Sequence, residues 1–261
     1  MIGSTVAKLA IDAGYDVVLS NSRGPETLGE LCAELGPQAQ AAHGAECAEA
    51  SDLVVVAVPV KAYFGLPAAA LRGKVVMDTG NYYPERDGQL PELDSGSLTS
   101  SELLARQLPG AEVVKVFNNI FFKHLLNLAR PAGAADRSYL PIAGDDAAAK
   151  AAVTEFLDSI GYGAVDAGTL ADGWRMQPGT PAYGPPYGSF DNEKGTPASE
   201  AVIRAALAAA TRLRYHCSHG AGGRDRSLLD PGRRRTSIVS LPATARCRRP
   251  RLFPGARWRC R

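Results

Sequence analysis

Residues Asp52-Leu53-Val54-Val55-Val56-Ala57-Val58 form an apolar run with one acid at its head, and Pro59 stops it. A run this short and rich in valine suits a strand covered on both faces, because a strand with one wet face would alternate apolar with polar. Comparable runs stand at 16–20, 74–78 and 112–116, with a weaker one at 38–42. Between them lie stretches with helical periodicity at 1–13, 25–35, 44–50, 61–71 and 99–108, so strand follows strand at intervals that leave room for a crossover helix. That order predicts an α/β fold, a Rossmann-type doubly wound parallel sheet with helices on both faces. A strand at 139–143, a helix at 146–160 and a strand at 164–166 add a small α/β C-terminal portion. The predicted organisation is a nucleotide-binding unit over 1–135, the smaller portion over 136–212 and a tail over 213–261.

Ligands of such sheets bind outside the carboxyl ends of the strands. The first strand ends in Asn21-Ser22-Arg23-Gly24-Pro25. An acid there would hydrogen-bond the ribose 2'-hydroxyl of NAD and repel a 2'-phosphate. Here the hydroxyl of Ser22 and the planar cation of Arg23 suit the phosphate, so NADP is the expected cofactor. A solvated surface loop is the competing reading. Upstream, 1–13 reads as an amphipathic helix closed by Gly14, and Gly3 fits the third glycine of a G-x-G-x-x-G fingerprint, which packs helix on sheet. On that reading a strand and two glycines would precede Met1, and the sheet as written lacks its first strand. Its neighbours would keep unpaired backbone groups, so this chain is expected to bind NADP poorly or fold badly, and a version extended upstream to fold and to bind NADP. Otherwise Gly3 is an ordinary glycine at a helix start.

Three further strand ends carry groups suited to planar rings and amides. Val58 and Pro59 close one with a donor-free turn, Asp78-Thr79-Gly80-Asn81-Tyr82-Tyr83-Pro84 follows the next, and Val116-Phe117-Asn118-Asn119 follows the last. Their shared location predicts a polar floor for a nicotinamide carboxamide and a second ring. Catalytic side chains and metal ligands are not evident: there is no Ser-His-Asp set, no H-E-x-x-H, and His124 reads as structural. Hydride transfer between two cofactors needs a nicotinamide C4 held close to its acceptor and no side-chain acid or base.

The near-neutral total of +2 hides two chains of opposite character. Residues 213–261 hold 13 Arg, no Lys and two Asp, a charge of +11, against −9 for the first 212. This tail lacks a sustained apolar period. Arg, Pro, Gly, Ala and Cys without Lys is what a GC-rich gene gives when read out of frame; a basic arm that neutralises phosphates is the alternative. No stretch approaches the ~20 apolar residues of a membrane helix, and no leader opens the chain, so a soluble cytoplasmic protein with reduced Cys32 and Cys47 is expected.

Taken together, Ile2-Gly3-Ser4-Thr5, Ser20-Asn21-Ser22-Arg23-Gly24-Pro25-Glu26-Thr27-Leu28, Val56-Ala57-Val58-Pro59, Asp78-Thr79-Gly80-Asn81-Tyr82-Tyr83-Pro84, Lys115-Val116-Phe117-Asn118-Asn119, Ile142-Ala143-Gly144-Asp145-Asp146 and Val165-Asp166-Ala167-Gly168 resemble the NADP-linked oxidoreductases that use the deazaflavin coenzyme F-420. These are related to the N-terminal domain of pyrroline-5-carboxylate reductase and to the oxidoreductase domain of ferric reductases. The resemblance spans about residues 1–212. It implies hydride transfer between NADP(H) and coenzyme F-420 or a flavin-like small-molecule co-substrate. It also implies Gly3 at the pyrophosphate, Ser22 and Arg23 at the 2'-phosphate, Val58 and Pro59 at the nicotinamide ribose, and Phe117, Asn118 and Asn119 at the nicotinamide. The small C-terminal portion would complete the cleft and support a homodimer, with residues 174–189 as its cap. A ferric chelate, quinone or small imine is the alternative acceptor, and a non-enzymatic NADP-binding or basic-tail nucleic-acid-binding protein the alternative class.

Overall fold

The computed structural model describes residues 1–212 and the backbone of 237–241. Strands β1 (Val17–Asn21), β2 (Ala39–Ala41), β3 (Leu53–Ala57), β4 (Val75–Asp78), β5 (Glu112–Lys115), β6 (Tyr139–Gly144), β7 (Gly163–Asp166) and β8 (Ser237–Leu241) make one sheet in the order β2-β1-β8-β3-β4-β5-β6-β7. The pairs β1–β2, β3–β4, β4–β5 and β6–β7 are parallel, as expected.

The sheet is not parallel throughout, which corrects the sequence reading in two places. β6 runs antiparallel to β5, with Val114 opposite Gly144. The connection carries α8 (Phe122–Asn127) and does not return the chain to the other edge, so β6 sets out from the edge where β5 ends. β8 lies antiparallel between β1 and β3, with Ser237 opposite both Asn21 and Ala57. The slot expected to stand open is therefore lined on both sides by backbone hydrogen bonds, which buried strands require. The tail reading contained no strand; Ser237–Leu241 forms one, and the rest of 213–261 lies outside the described residues.

Both faces of the sheet are covered, and the strands divide their side chains between them. Val55, Met77 and Val114 join one core with Val6, Ala7 and Ala10 of α1 (Ile2–Asp12) and with Val153 and Phe156 of α9 (Ala147–Ser159). Val54, Val56, Val76 and Val113 join the other with Cys47 of α3 (Gly44–Glu49), Leu71 of α4 (Ala68–Leu71) and Leu104 of α7 (Ser100–Gln107). The period of two along a strand sends alternate valines to opposite layers, so an all-apolar run is what two buried faces need. Local chemistry sets the boundaries. Thr99 caps α7 with Glu102 in a reciprocal box, and Asp146 accepts from Ala149 N at 2.7 Å to start α9. Two predicted helices, 25–35 and 61–71, which contain Pro25 and Pro67, each divide into a 3-10 turn, Pro25–Leu28 and Val60–Gly65, and a shorter helix, α2 (Gly29–Leu35) and α4. Short helices α5 (Pro84–Asp87) and α6 (Pro91–Asp94), the 3-10 segments Leu170–Met176 and Pro185–Tyr187, and α10 (Glu200–Ala208) complete the described chain and were not predicted.

Three interior tyrosines anchor these layers through their hydroxyls: Tyr63 to Asp78 at 2.6 Å, Tyr162 to Leu125 O at 2.6 Å and Tyr187 to Tyr139 O at 2.9 Å. Burial pushes all three phenols up, above their value in the unfolded chain. Their contribution is therefore complete below about pH 10, the unfolded tyrosine value, and is lost as the pH climbs beyond it. An alkaline titration followed by tyrosinate absorbance should leave these three un-ionised until the fold collapses, whereas the denatured chain titrates all nine tyrosines together.

Candidate active site at the carboxyl edge of the sheet

At the end of β1 a short turn is built from its own side chains. Asn21 Oδ1 accepts from Arg23 N at 2.8 Å, Asn21 Nδ2 donates to Thr27 Oγ1 at 2.8 Å, and Thr27 Oγ1 donates to Gly24 O at 2.8 Å. Gly24 has φ 99°, and a Cβ there would fall 2.4 Å from the Glu26 carboxylate, so glycine is required. Ser22 and Arg23 project from this turn, exposed, and their side chains make no hydrogen bond or ion pair among the described residues. Gly3 is buried in the first turn of α1, beside the half-buried Ile2. Because α1 leads back to the amino end of β1, its N-terminus lies at the same carboxyl edge.

The ends of β3, β4 and β5 meet at a buried ion pair. Lys115 Nζ stands 3.1 Å from Asp78 Oδ2, with the two side chains 3% and 0% exposed. The carboxylate also accepts from Tyr63 Oη at 2.6 Å, Gly80 N at 2.8 Å and Ser101 Oγ at 2.7 Å. The ammonium donates further to Ser100 Oγ at 3.0 Å and to Gly80 O. Each charge is thus saturated by internal partners, the condition under which a buried pair persists. Burial pulls the Lys115 ammonium down and Asp78 pulls it back up, while burial, reinforced by Asp78, raises the Tyr63 phenol.

Above this pair lies a layer of amides. Asn81 Nδ2 donates to Asn118 O at 2.8 Å and Asn118 Nδ2 returns a bond to Asn81 Oδ1 at 3.1 Å. Arg86 donates to Asn81 O at 2.6 Å. Asn118 Nδ2 also reaches Met176 O at 2.7 Å, and Asn119 Nδ2 reaches Ala182 O at 2.8 Å. Gly184 N donates to Asn119 O, and the hydroxyls of Tyr83 and Tyr183 meet at 2.8 Å, so residues 176–184 are strapped over the strand ends. The amide oxygens Asn118 Oδ1 and Asn119 Oδ1 are buried and accept no hydrogen bond from the described residues. Phe117, just before them, is buried and holds φ 64°, the one positive φ among described residues other than glycine. Such strain persists where surroundings over-determine it, and it concentrates at functional sites.

The structure thus joins Asn81 to Asn118 directly, sets Phe117 and Asn119 beside them, and links buried Val58 and half-buried Pro59 to the group through Tyr63 on the following turn. Ser22 and Arg23, with Ile2 and Gly3, form a second group at the end of β1, separated from β3 by β8. His124 is structural: it is buried against Phe121 and Phe190, with Nε2 2.8 Å from Asn192 O. Among the described residues no cluster could hold a metal ion, and no helix is long and apolar enough to cross a membrane. The sequence reading gave no role to Tyr63, Asp78 or Lys115. The available signal was a single charge closing each of two neighbouring apolar strands, opposite in sign.

Gly80 lies at the junction of pair and amides, and a Cβ there would fall 1.9 Å from Tyr63 Oη. Gly80→Ala should destabilise the protein by about 1–3 kcal/mol, as overpacking does. Adding Tyr63→Phe, which removes the clashing oxygen, should make the pair less than additive in a thermal-denaturation cycle.

Comparison with known proteins follows the same lines. Residues 1–82 match the family model described as NADP oxidoreductase, coenzyme F-420-dependent. A hypothetical protein from Sinorhizobium meliloti has a similar structure, with 29% identity, a TM-score of 0.59, and 68% of this chain and 86% of that one covered. So does a protein from Arthrobacter sp. FB24 provisionally assigned as an F-420-dependent NADP reductase, with 27% identity, a TM-score of 0.55, and 65% of this chain and 81% of that one covered. The family that the strand-end motifs resemble is the one whose model residues 1–82 match, that of the coenzyme F-420-dependent NADP oxidoreductases.

Proposed function

We propose that this chain transfers a hydride between NADP(H) and a deazaflavin or flavin-like acceptor. The family match and the two structural relatives support an NAD(P)-dependent oxidoreductase of the F-420 reductase type. The observation that carries the NADP reading is the turn after β1, where consecutive exposed residues Ser22 and Arg23 offer a hydroxyl and a guanidinium, both without a partner among the described residues. A guanidinium fork and a hydroxyl suit a 2'-phosphate, and Asn21 and Thr27 hold the turn that carries them.

At the other end of the site, the two buried amide oxygens of Asn118 and Asn119 fit the N–H groups of a nicotinamide carboxamide. Asn81 and the strained Phe117 border the same place, Val58 and Pro59 flank the ribose position, and Ile2 and Gly3 at the start of α1 adjoin the pyrophosphate. When bound, NADPH supplies a hydride from its nicotinamide C4. The residues bind, orient and exclude water; Lys115 and Asp78 have every polar atom engaged internally, so neither serves the reaction as a free acid or base. The strap over 176–184, with the Tyr83–Tyr183 pair, forms the wall on the acceptor side.

Arg23→Ala should weaken NADPH binding about 10- to 100-fold, the worth of a charge-assisted hydrogen bond. NADH binding should change little, and equal losses for the two nucleotides would remove the phosphate assignment. Anaerobic NADPH oxidation with coenzyme F-420, FMN and ferric chelates in parallel ranks the acceptors, and the deazaflavin is expected to be the fastest.

A further inference from the structure

The buried ion pair touches all three strand ends that meet at the amide layer, and a pair serving stability alone need not. Asp78 closes β4, Lys115 closes β5, and Tyr63, which donates to Asp78, belongs to the turn that follows the end of β3. Both polar groups of the Gly80 backbone are engaged: its N–H donates to Asp78 and its carbonyl accepts from Lys115. The next residue is Asn81, whose amide exchanges two hydrogen bonds with Asn118. Asn118 in turn holds Met176 at the start of the strap. A continuous series of bonds therefore runs from the ion pair through Gly80 and Asn81 to Asn118.

We propose that Lys115 and Asp78 are positioning residues for the nicotinamide end of the site, acting through Gly80 and Asn81. This rests on the NADP reading above and deepens it. The peptide between Asp78 and Asn81 has no side chain at Gly80 with which to anchor itself, because Tyr63 occupies that space. The two charges supply the missing anchorage from below by gripping both sides of the Gly80 peptide. Without the ammonium the Gly80 carbonyl loses its charged donor, the turn gains freedom, and Asn81 no longer fixes the Asn118 amide in one orientation. The adenosine end depends on a different turn, held by Asn21 and Thr27, with no bond to this series.

That separation gives the test. NADP+ spans both ends of the site, whereas 2',5'-ADP carries the 2'-phosphate and lacks the nicotinamide. In Lys115→Met, NADP+ affinity measured by calorimetry should fall about tenfold, roughly one hydrogen bond's worth, while 2',5'-ADP affinity stays within about twofold. Asn81→Ala should show the same split, and the double variant should be no weaker than the worse single one, since both act on one element. Tyr63→Phe, a milder change that leaves both charges, should shift NADP+ in the same direction by a smaller factor. Amide hydrogen exchange adds a readout that needs no nucleotide: residues 79–82 should exchange faster in Lys115→Met while β1 and β2 keep their protection. Equal loss of both nucleotides with faster exchange throughout would reduce the pair to a general stabiliser and overturn the proposal. So would unchanged NADP+ binding in all three single variants. A wild-type protein that binds neither nucleotide would instead bring down the NADP reading itself, and this inference with it.

Discussion

A carboxylate and an ammonium buried at the ends of adjacent strands are costly to desolvate, and the burial of Asp78 with Lys115 is offset by Tyr63, Gly80, Ser100 and Ser101, which turn their polar groups toward the pair. Removing one partner of such a pair typically costs about 3–5 kcal/mol, a large share of the 5–15 that holds a domain folded. The geometry of the edge follows from this arrangement. Tyr63 draws in the turn after β3, Ser100 and Ser101 draw in the start of α7, and the Gly80 peptide is clamped between the two charges. Nearby, Thr99 Oγ1 reaches Leu170 O at 3.1 Å, tying the start of α7 to the 3-10 segment that leads into the strap.

The two ends of the candidate site are built by different physics. At β1 the turn is local, made by Asn21, Thr27 and Gly24 within seven residues, and it leaves a cation and a hydroxyl facing outward. At β4 and β5 the construction is long-range: amides more than thirty residues apart pair with each other, and they hold carbonyls about sixty residues further along the chain. A short polar turn can read a phosphate because charge and donor geometry suffice there. On the proposed reading a planar carboxamide would need acceptors fixed in one plane, and the tertiary framework around Phe117, Asn118 and Asn119 is rigid enough to hold them.

The sheet order adds a constraint on the relation between those ends. β1 and β3 do not touch; β8 lies between them and runs against both. The carboxyl edge therefore carries Ser237 between Asn21 and Ala57, so the backbone that separates the Ser22-Arg23 turn from the amide layer comes from a segment about two hundred residues away. β6 enters antiparallel because the chain stays at the edge where β5 ends. It brings the C-terminal portion to the same edge, where residues 176–184 lie over the amides.

Much of this was legible in the chain. Unbroken valine runs report strands buried on both faces, because any wet face would demand alternation, and their spacing fixes crossover helices and hence parallel pairing of β3, β4 and β5. The Ser22-Arg23 turn and the Asn-rich strand ends were readable because each is a local combination of chemistry and position. What the chain alone did not reveal were relations between distant residues. Strand direction at β6 and the insertion of β8 depend on which backbone edges remain to be paired; the role of Asp78 and Lys115 depends on two charges meeting across 37 positions. A charge at a strand end has the same local signature whether it meets water or its counter-ion, and only the packed structure decides which, because only packing excludes the water.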